Sequence, residues 1–294
     1  MFLLQTSKYD EGILKSETES AYSSVIVAFK YSERGYPRTT MSKNFAIIGG
    51  TGFEQLPAEF FGESLLVRTE MGEVSVFSMS DNYTEPNKTY FLSRHGAEHK
   101  TAPHEINYRA NILALKQLEV GYIFATNAVG SLKTEWIPGT LVLFSDFLDF
   151  TRYRHQTLFS STQAWSHTDM TVSYSPLLRS TLLHTAEAVG IPIQPSGVYL
   201  CTEGPRFETP AEIRMFQQWG AEIVGMTGVP EVVFAKEAGI EYAAIGLVTN
   251  LAAGIKDSPI DHSEHALISE QYIPLIRELL LHTCADLNTQ IESA

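Results

Sequence analysis

Four short segments of this chain carry hydroxyl, small or cationic residues at the ends of β-forming runs: Gly49-Gly50-Thr51-Gly52, Arg94-His95-Gly96, Thr126-Asn127-Ala128-Val129-Gly130-Ser131 and Met226-Thr227-Gly228. Each suits an anion. Glycines let backbone N–H groups approach a charged oxygen, a threonine hydroxyl adds a donor, and a guanidinium grips two oxygens at once. The first segment completes no dinucleotide fingerprint, because Phe53, Glu54 and Gln55 follow where a third glycine belongs, and no Walker lysine is present. Taken singly, each segment reads equally as a plain turn. Together they suggest one anion held by Thr51, Arg94, His95, the Ala128 N–H and Thr227.

A second set of residues falls on the same strand ends. The stretch from Tyr199 to Asn250 reads as strand, loop, helix, strand, helix, strand, with Glu208 after the first strand, Met226 and Thr227 after the second, and Thr249 and Asn250 after the third. In an α/β sheet, ligands bind outside the carboxyl ends of strands, so these groups share a cleft. Phe207 can stack on a flat ring or simply pack in the core. Glu208 can bind a ligand donor or complement a helix N-terminus. Asn250 can hydrogen-bond a ligand or close an Asx turn, and Met226 can line a site or fill the core. His262, in a Pro-Ile-Asp-His loop, is a ligand or a cap. His104, His155 and His167 have no metal-ligand spacing, and no metal is expected.

These residues need a frame. The 294 residues, 44% of them hydrophobic, suffice for one large α/β domain or two smaller ones. A formal charge of -13 argues against nucleic acid and anionic membranes as partners, so an anionic substrate needs a local cationic pocket. Two cysteines, Cys201 and Cys284, lack metal spacing and read as reduced thiols of a cytoplasmic protein. No apolar run approaches the roughly 20 residues of a membrane span. Residues 1–40 show no clear period and no secretory signal, and are expected to be a dispensable extension before a domain at 41–294.

From Asn44 onward strands and helices alternate. Strands are expected at Phe45–Ile48, Val74–Met79, Thr89–Ser93, Tyr122–Thr126 and Thr140–Phe144. Helices are expected at Pro103–Leu118, at Arg179–Val189 before Gly190, from Thr209 to Gly220, from Val229-Pro230 to Gly239, and from about His265 to Asp286. Thr209, Pro210 and Glu212 spell a capping box with proline at the first helical position. Strands separated by helices imply an α/β fold, a three-layer αβα sandwich around a central mixed sheet.

The segments AIIGGTG, LSRHG, NYRANILALK, TNAVGS, GPRFETPAE, MTGVPEVVFAKEAGI and VTNLAAGI closely resemble the trimeric purine nucleoside phosphorylase and methylthioadenosine phosphorylase family, over residues 44–290. The resemblance implies phosphorolysis: inorganic phosphate, a co-substrate, and a purine nucleoside give the free base and a ribose 1-phosphate, with no cofactor. It implies a homotrimer. It carries Thr51, Arg94, His95, Asn127, Ala128 and Thr227 to the phosphate, Met226 to the ribose, and Phe207, Glu208, Asn250 and Ala252 to the base. Catalysis falls to Asn250, His95 and Arg94, and His262 resembles the histidine that meets the ribose 5′-hydroxyl.

The branch is set by donor–acceptor geometry. The methylthioadenosine branch typically has a small hydroxylated residue at 208 and aspartates at 250 and 252; this chain has Glu208, Asn250 and Ala252. A 6-oxopurine carries N1–H, which an ionised Glu208 accepts, whereas adenine presents a lone pair there. Inosine, guanosine or methylthioinosine is therefore the expected substrate, and Arg94-His95-Gly96 with Asn107-Tyr108, closer to the methylthio branch, keeps methylthioadenosine as the alternative. A nucleoside hydrolase and a non-catalytic purine binder are weaker readings because neither needs the phosphate-type segments, and a Rossmann dehydrogenase is weaker because the glycine pattern is incomplete.

Overall fold

The strands of this chain are sorted by the period of two in their side chains. In β1 (Asn44–Gly49), Phe45 and Ile47 enter one core and Ala46 and Ile48 the other. The same split recurs in β5 (Val120–Ser131), with Tyr122 and Phe124 against Ile123 and Ala125, and in β9 (Glu241–Leu251), with Ala243 and Ile245 against Tyr242 and Ala244. Strands buried on both faces read as unbroken apolar runs, as these do. One core is closed by α1 (Tyr108–Gln117) and α4 (Glu231–Ala238), the other by α2 (Pro176–Ala188) and α5 (His262–Glu292). Helices on both faces of a mixed sheet are the architecture expected from the sequence.

The computed structural model describes residues 44–52, 61–79, 84–96, 100–159, 165–256 and 262–293. The proposed extension, 1–40, lies outside the described residues, as does the side chain of His262. Among the described residues the sheet has nine strands in the order β2-β3-β4-β1-β5-β8-β7-β6-β9, where β2 is Phe61–Thr69, β3 Gly72–Met79, β4 Thr89–Ser93, β6 Leu141–Phe150, β7 Gln194–Thr202 and β8 Ile223–Gly225. Strands β4, β1, β5 and β9 run parallel, so their carboxyl ends share one edge. Strand β5 also pairs with β9, and this closes β5, β8, β7, β6 and β9 into a ring.

The ring depends on a branch in β5. Its register against β9 shifts between Val129 and Gly130, and at Gly130 it also meets β8 running antiparallel. A Cβ at Gly130 would lie 3.2 Å from Asn250 Nδ2 and 3.4 Å from Val224 Cγ1, so the closure needs the missing side chain. Helix α3 (Pro210–Gln218) covers this end, with Ile213 and Phe216 on Leu200, Val224 and Ala252.

Several sequence expectations are corrected here. Thr126–Ser131 is not a loop after a strand but the second half of β5, since the paired partners β8 and β9 continue past Thr126. Thr249 and Asn250 likewise lie within the last turn of β9 rather than beyond it. Helix α1 begins at Tyr108, not Pro103, because Asn107 caps it by accepting from Ala110 N at 3.1 Å. Residues 103–106 are thereby left outside the helix. The capping box at Thr209 forms as read, with both reciprocal bonds present, and it fixes where α3 starts, two residues after Glu208. No helix among the described residues is long and apolar enough to cross a membrane.

Candidate active site

The carboxyl ends of these strands open into a cavity of about 570 Å³. Thr51, His95, Ala128, Thr227, Phe207, Glu208, Asn250, Ala252 and Met226 all line it. Loops from β1, β4, β7 and β8 and the ends of β5 and β9 thus bring together most of the residues that the sequence singled out. Their presentation has local causes. Gly50 donates its N–H to Thr126 Oγ1 at 2.9 Å, and a Cβ there would sit 2.6 Å from the Thr126 carbonyl, so the turn bearing Thr51 is pressed onto β5. Because β8 runs back along β5, Thr227 comes beside Asn127, whose Nδ2 donates to Thr227 Oγ1 at 3.0 Å.

Arg94 is a correction. Its side chain is fully buried and does not line the cavity. Nε and Nη2 each donate to the Glu231 carboxylate at 2.7 Å, and Nη1 donates to the Thr126 carbonyl at 2.8 Å. Tyr242 donates to Glu231 Oε1 at 2.7 Å. Burial alone would make the guanidinium easier to deprotonate; the Glu231 charge outweighs it and raises the Arg94 pKa. The arginine therefore braces the floor of the site. Asn127 is also set back from the lining; Asn127 Oδ1 is buried without a hydrogen-bond partner beside Thr227.

His95 keeps its place in the wall. Its Nδ1 is 2.9 Å from the Thr101 carbonyl, which only accepts, so Nδ1 carries the proton. Two ionisable lining residues were not read from the sequence. Lys100 stands in the wall next to Thr101, where a cation just downstream of Arg94-His95-Gly96 was a usable signal. His265 is the other, edge-on to Phe207 with ring centroids 5.7 Å apart.

Glu208 is buried at 8% exposure and accepts from Thr202 Oγ1 at 2.6 Å through Oε1. Burial pushes its carboxyl pKa up, with the Thr202 bond acting the other way. Asn250 is held by Thr249 Oγ1, 3.1 Å from Oδ1, and by its own Nδ2 donating to the Leu251 carbonyl at 2.9 Å. Glu208 is held by one side-chain bond and Asn250 by two, and each retains further hydrogen-bonding capacity toward a ligand. Among the described residues no cluster of His, Cys, Asp and Glu could hold a metal ion.

A mixed sheet with helices on both faces and an anion-suited cleft at its strand ends defines a nucleoside phosphorylase-like α/β protein. Residues 44–285 match the phosphorylase superfamily, and the chain belongs to that family. A protein of Dictyoglomus turgidum named as a probable 6-oxopurine nucleoside phosphorylase is 46% identical over 235 residues, covering 80% of this chain and 88% of its own. A Methanopyrus kandleri protein named as a probable S-methyl-5′-thioinosine phosphorylase is 44% identical over 236 residues, 80% of this chain and 89% of its own. The methylthioadenosine phosphorylase of Schistosoma mansoni, solved with adenine, superposes with a TM-score of 0.78 at 29% identity, covering 85% of this chain and 92% of that one.

Two outcomes are expected from this geometry. Arg94→Ala strands the Glu231 charge in the core and should destabilise the fold by about 3–5 kcal/mol in denaturant titration; a loss under about 1 kcal/mol would show that the pair is not buried as described. Glu208→Gln should do the opposite. A carboxyl whose folded pKa is raised gives up stability as pH climbs through that pKa. The variant should therefore melt higher than the wild type near neutral pH. The gain should vanish below the ordinary carboxyl value of 4.5, where the wild type is protonated folded and unfolded. Equal melting temperatures at every pH would contradict it.

Proposed function

We propose that this protein is a purine nucleoside phosphorylase, a pentosyltransferase that favours 6-oxopurine nucleosides: inosine, guanosine or methylthioinosine. The observation that carries the reading is the pairing, in one cavity, of a buried carboxylate and an amide, Glu208 and Asn250, with a cluster of anion donors, Thr51, the Ala128 N–H and Thr227, beside His95. Relatives named for 6-oxopurine nucleosides and for methylthioinosine support it.

Glycosidic cleavage builds positive charge on the ribose. Phosphate held by the Thr51, His95, Ala128 and Thr227 group stabilises that charge from below and then bonds to C1′ as the C–N bond breaks. Asn127, through the hydroxyl of Thr227, fixes a phosphate donor, and its unpaired Oδ1 suits a phosphate O–H. Lys100 supplies cationic charge that Arg94, neutralised by Glu231, cannot. Met226 packs under the ribose, and Phe207 and Ala252 flank the base. The electron pair of the broken bond goes to the purine. Glu208 accepts N1–H there, and Asn250 bonds N7 and O6 as negative charge grows. A site built around such a donor–acceptor match rejects the analogue that lacks it, because the mismatch leaves buried polar groups unpaired. His262 is carried to the ribose 5′ end by the resemblance alone, which also supports a homotrimer; two buried free thiols, Cys201 and Cys284, suit the cytoplasm.

The test is base release from inosine, guanosine, adenosine, methylthioinosine and methylthioadenosine, with and without phosphate. Release should need phosphate and favour the 6-oxopurines, and Asn250→Asp should shift the ratio of specificity constants toward the 6-aminopurine by roughly 5- to 150-fold. Equal release in phosphate-free buffer would sink phosphorolysis; a wild-type preference for methylthioadenosine would sink the base assignment alone. Residues 1–40 are proposed to be dispensable, since the family match and β1 both begin at residue 44. A chain starting at Met41 should keep the melting temperature and turnover of the full protein, and a large drop in either would show that the extension belongs to the domain.

A further inference from the structure

We propose that Arg154 is the positioning residue that holds the base-binding and phosphate-binding walls of this site at a fixed separation. Its side chain is only 2% exposed. Nη2 donates to the carbonyls of Glu203, at 2.9 Å, and Thr202, at 3.3 Å, just where β7 ends. The same nitrogen donates to the Met226 carbonyl at 2.7 Å, at the turn that follows β8. Nη1 donates to the Val229 carbonyl at 2.6 Å, immediately before α4, and to the Tyr108 hydroxyl at 3.2 Å.

Three of these acceptors lead to different stretches of the cavity wall. Thr202 donates its hydroxyl to Glu208, the carboxylate at the base end. Met226 lines the cavity itself and is followed by Thr227, the hydroxyl at the phosphate end. Tyr108 passes the connection on by donating to the Pro103 carbonyl at 3.0 Å, and Pro103 belongs to the wall formed by residues 100–103. One planar guanidinium therefore spans three chain segments that are remote in sequence, a task for which its rigid fork of donors is suited and an ammonium is not. The charge is solvated mainly by carbonyl dipoles. Its one carboxylate contact, Nε to Glu203 Oε1, is 3.4 Å long, and Glu203 is itself anchored by the N–H groups of Arg152 and Tyr153.

Arg154 does not line the cavity, so it acts through the groups that do. The inference rests on the phosphorylase reading. Displacing a substrate-holding group by about 1 Å costs on the order of 100-fold in rate. Arg154→Lys, which keeps the charge but offers a point donor, should therefore raise the Michaelis constant for phosphate, lower kcat, and reduce kcat/KM for phosphate about 100-fold. The circular dichroism of the purified full-length variant should remain native. A merely structural role would lower the fraction of folded enzyme, cutting apparent kcat and leaving KM unchanged, and that result overturns the proposal. In Arg154→Ala, millimolar guanidinium ion should restore part of the turnover where ammonium does not; no selective rescue counts against it. Should neither variant fold, Glu203→Gln, which loosens Nε and the partly exposed 152–153 turn, should give a smaller rise in the phosphate KM, and an unchanged KM would overturn the idea. Wild-type base release with and without phosphate, run alongside, tests phosphorolysis separately.

Discussion

The pair between Arg94 and Glu231 is the constraint on which the rest of the structure depends. Both side chains are fully buried, and their network reaches β4, β5, α4 and β9 at once through Arg94, Thr126, Glu231 and Tyr242. Burying two charges is costly, and only good geometry with extra hydrogen bonds offsets it. Here the geometry is bidentate, and the carbonyl of Thr126 and the hydroxyl of Tyr242 supply the additional bonds. The pair adds little net stability over an apolar replacement of similar size, but it specifies one arrangement of four elements. The Gly50 turn rests directly above it, with Arg94 Nη1 3.2 Å from where a Gly50 Cβ would be. The anion end of the cavity is built on a neutralised ionic floor.

The end of the cavity that holds Glu208 is built on the opposite principle. Glu208 has no cationic partner among its hydrogen bonds, and its burial outweighs the Thr202 hydroxyl, a backbone N–H and the nearby Arg206 charge that favour the ionised form. A carboxylate left short of donors is a poor structural element and a good acceptor for a ligand N–H. The cost in stability at neutral pH and the capacity to recognise a base therefore come from the same desolvation. Two buried ionisable systems lie near one cavity. One is fully paired and serves the fold; the other is underpaired and serves the ligand.

How much of this was legible in the sequence depended on distance along the chain. The capping box at Thr209 was readable because its partners are three residues apart, and with it the position of Glu208 just ahead of α3. The two-faced burial of β1, β5 and β9 was readable from their apolar runs. The start of α1 was misread because Pro103 resembles a helix start, while Asn107, the true cap, is recognisable only by its bond to Ala110. Arg94 looked like an anion ligand because its partner lies 137 positions away. The one hint was Glu231, a charge directly ahead of the apolar run 232–235. Arg154 had no local signature at all, since its acceptors are backbone carbonyls, which every residue possesses. The branch in β5 was equally silent: a strand that serves two partners has the same composition as one that serves a single partner.

The ring of strands bears on how such a protein changes over generations. An open sheet can absorb a substitution by letting an edge strand slide or splay, so chemistry and shape drift together. A closed circuit of hydrogen-bonded strands has no edge to give way, and its rim keeps its outline when a side chain on it is exchanged. Asn250 sits on that rim across from Gly130. Exchanging an amide for a carboxylate there alters which hydrogens a ligand must present and leaves the opening the same size. Chemistry on this rim can thus vary while its shape is held.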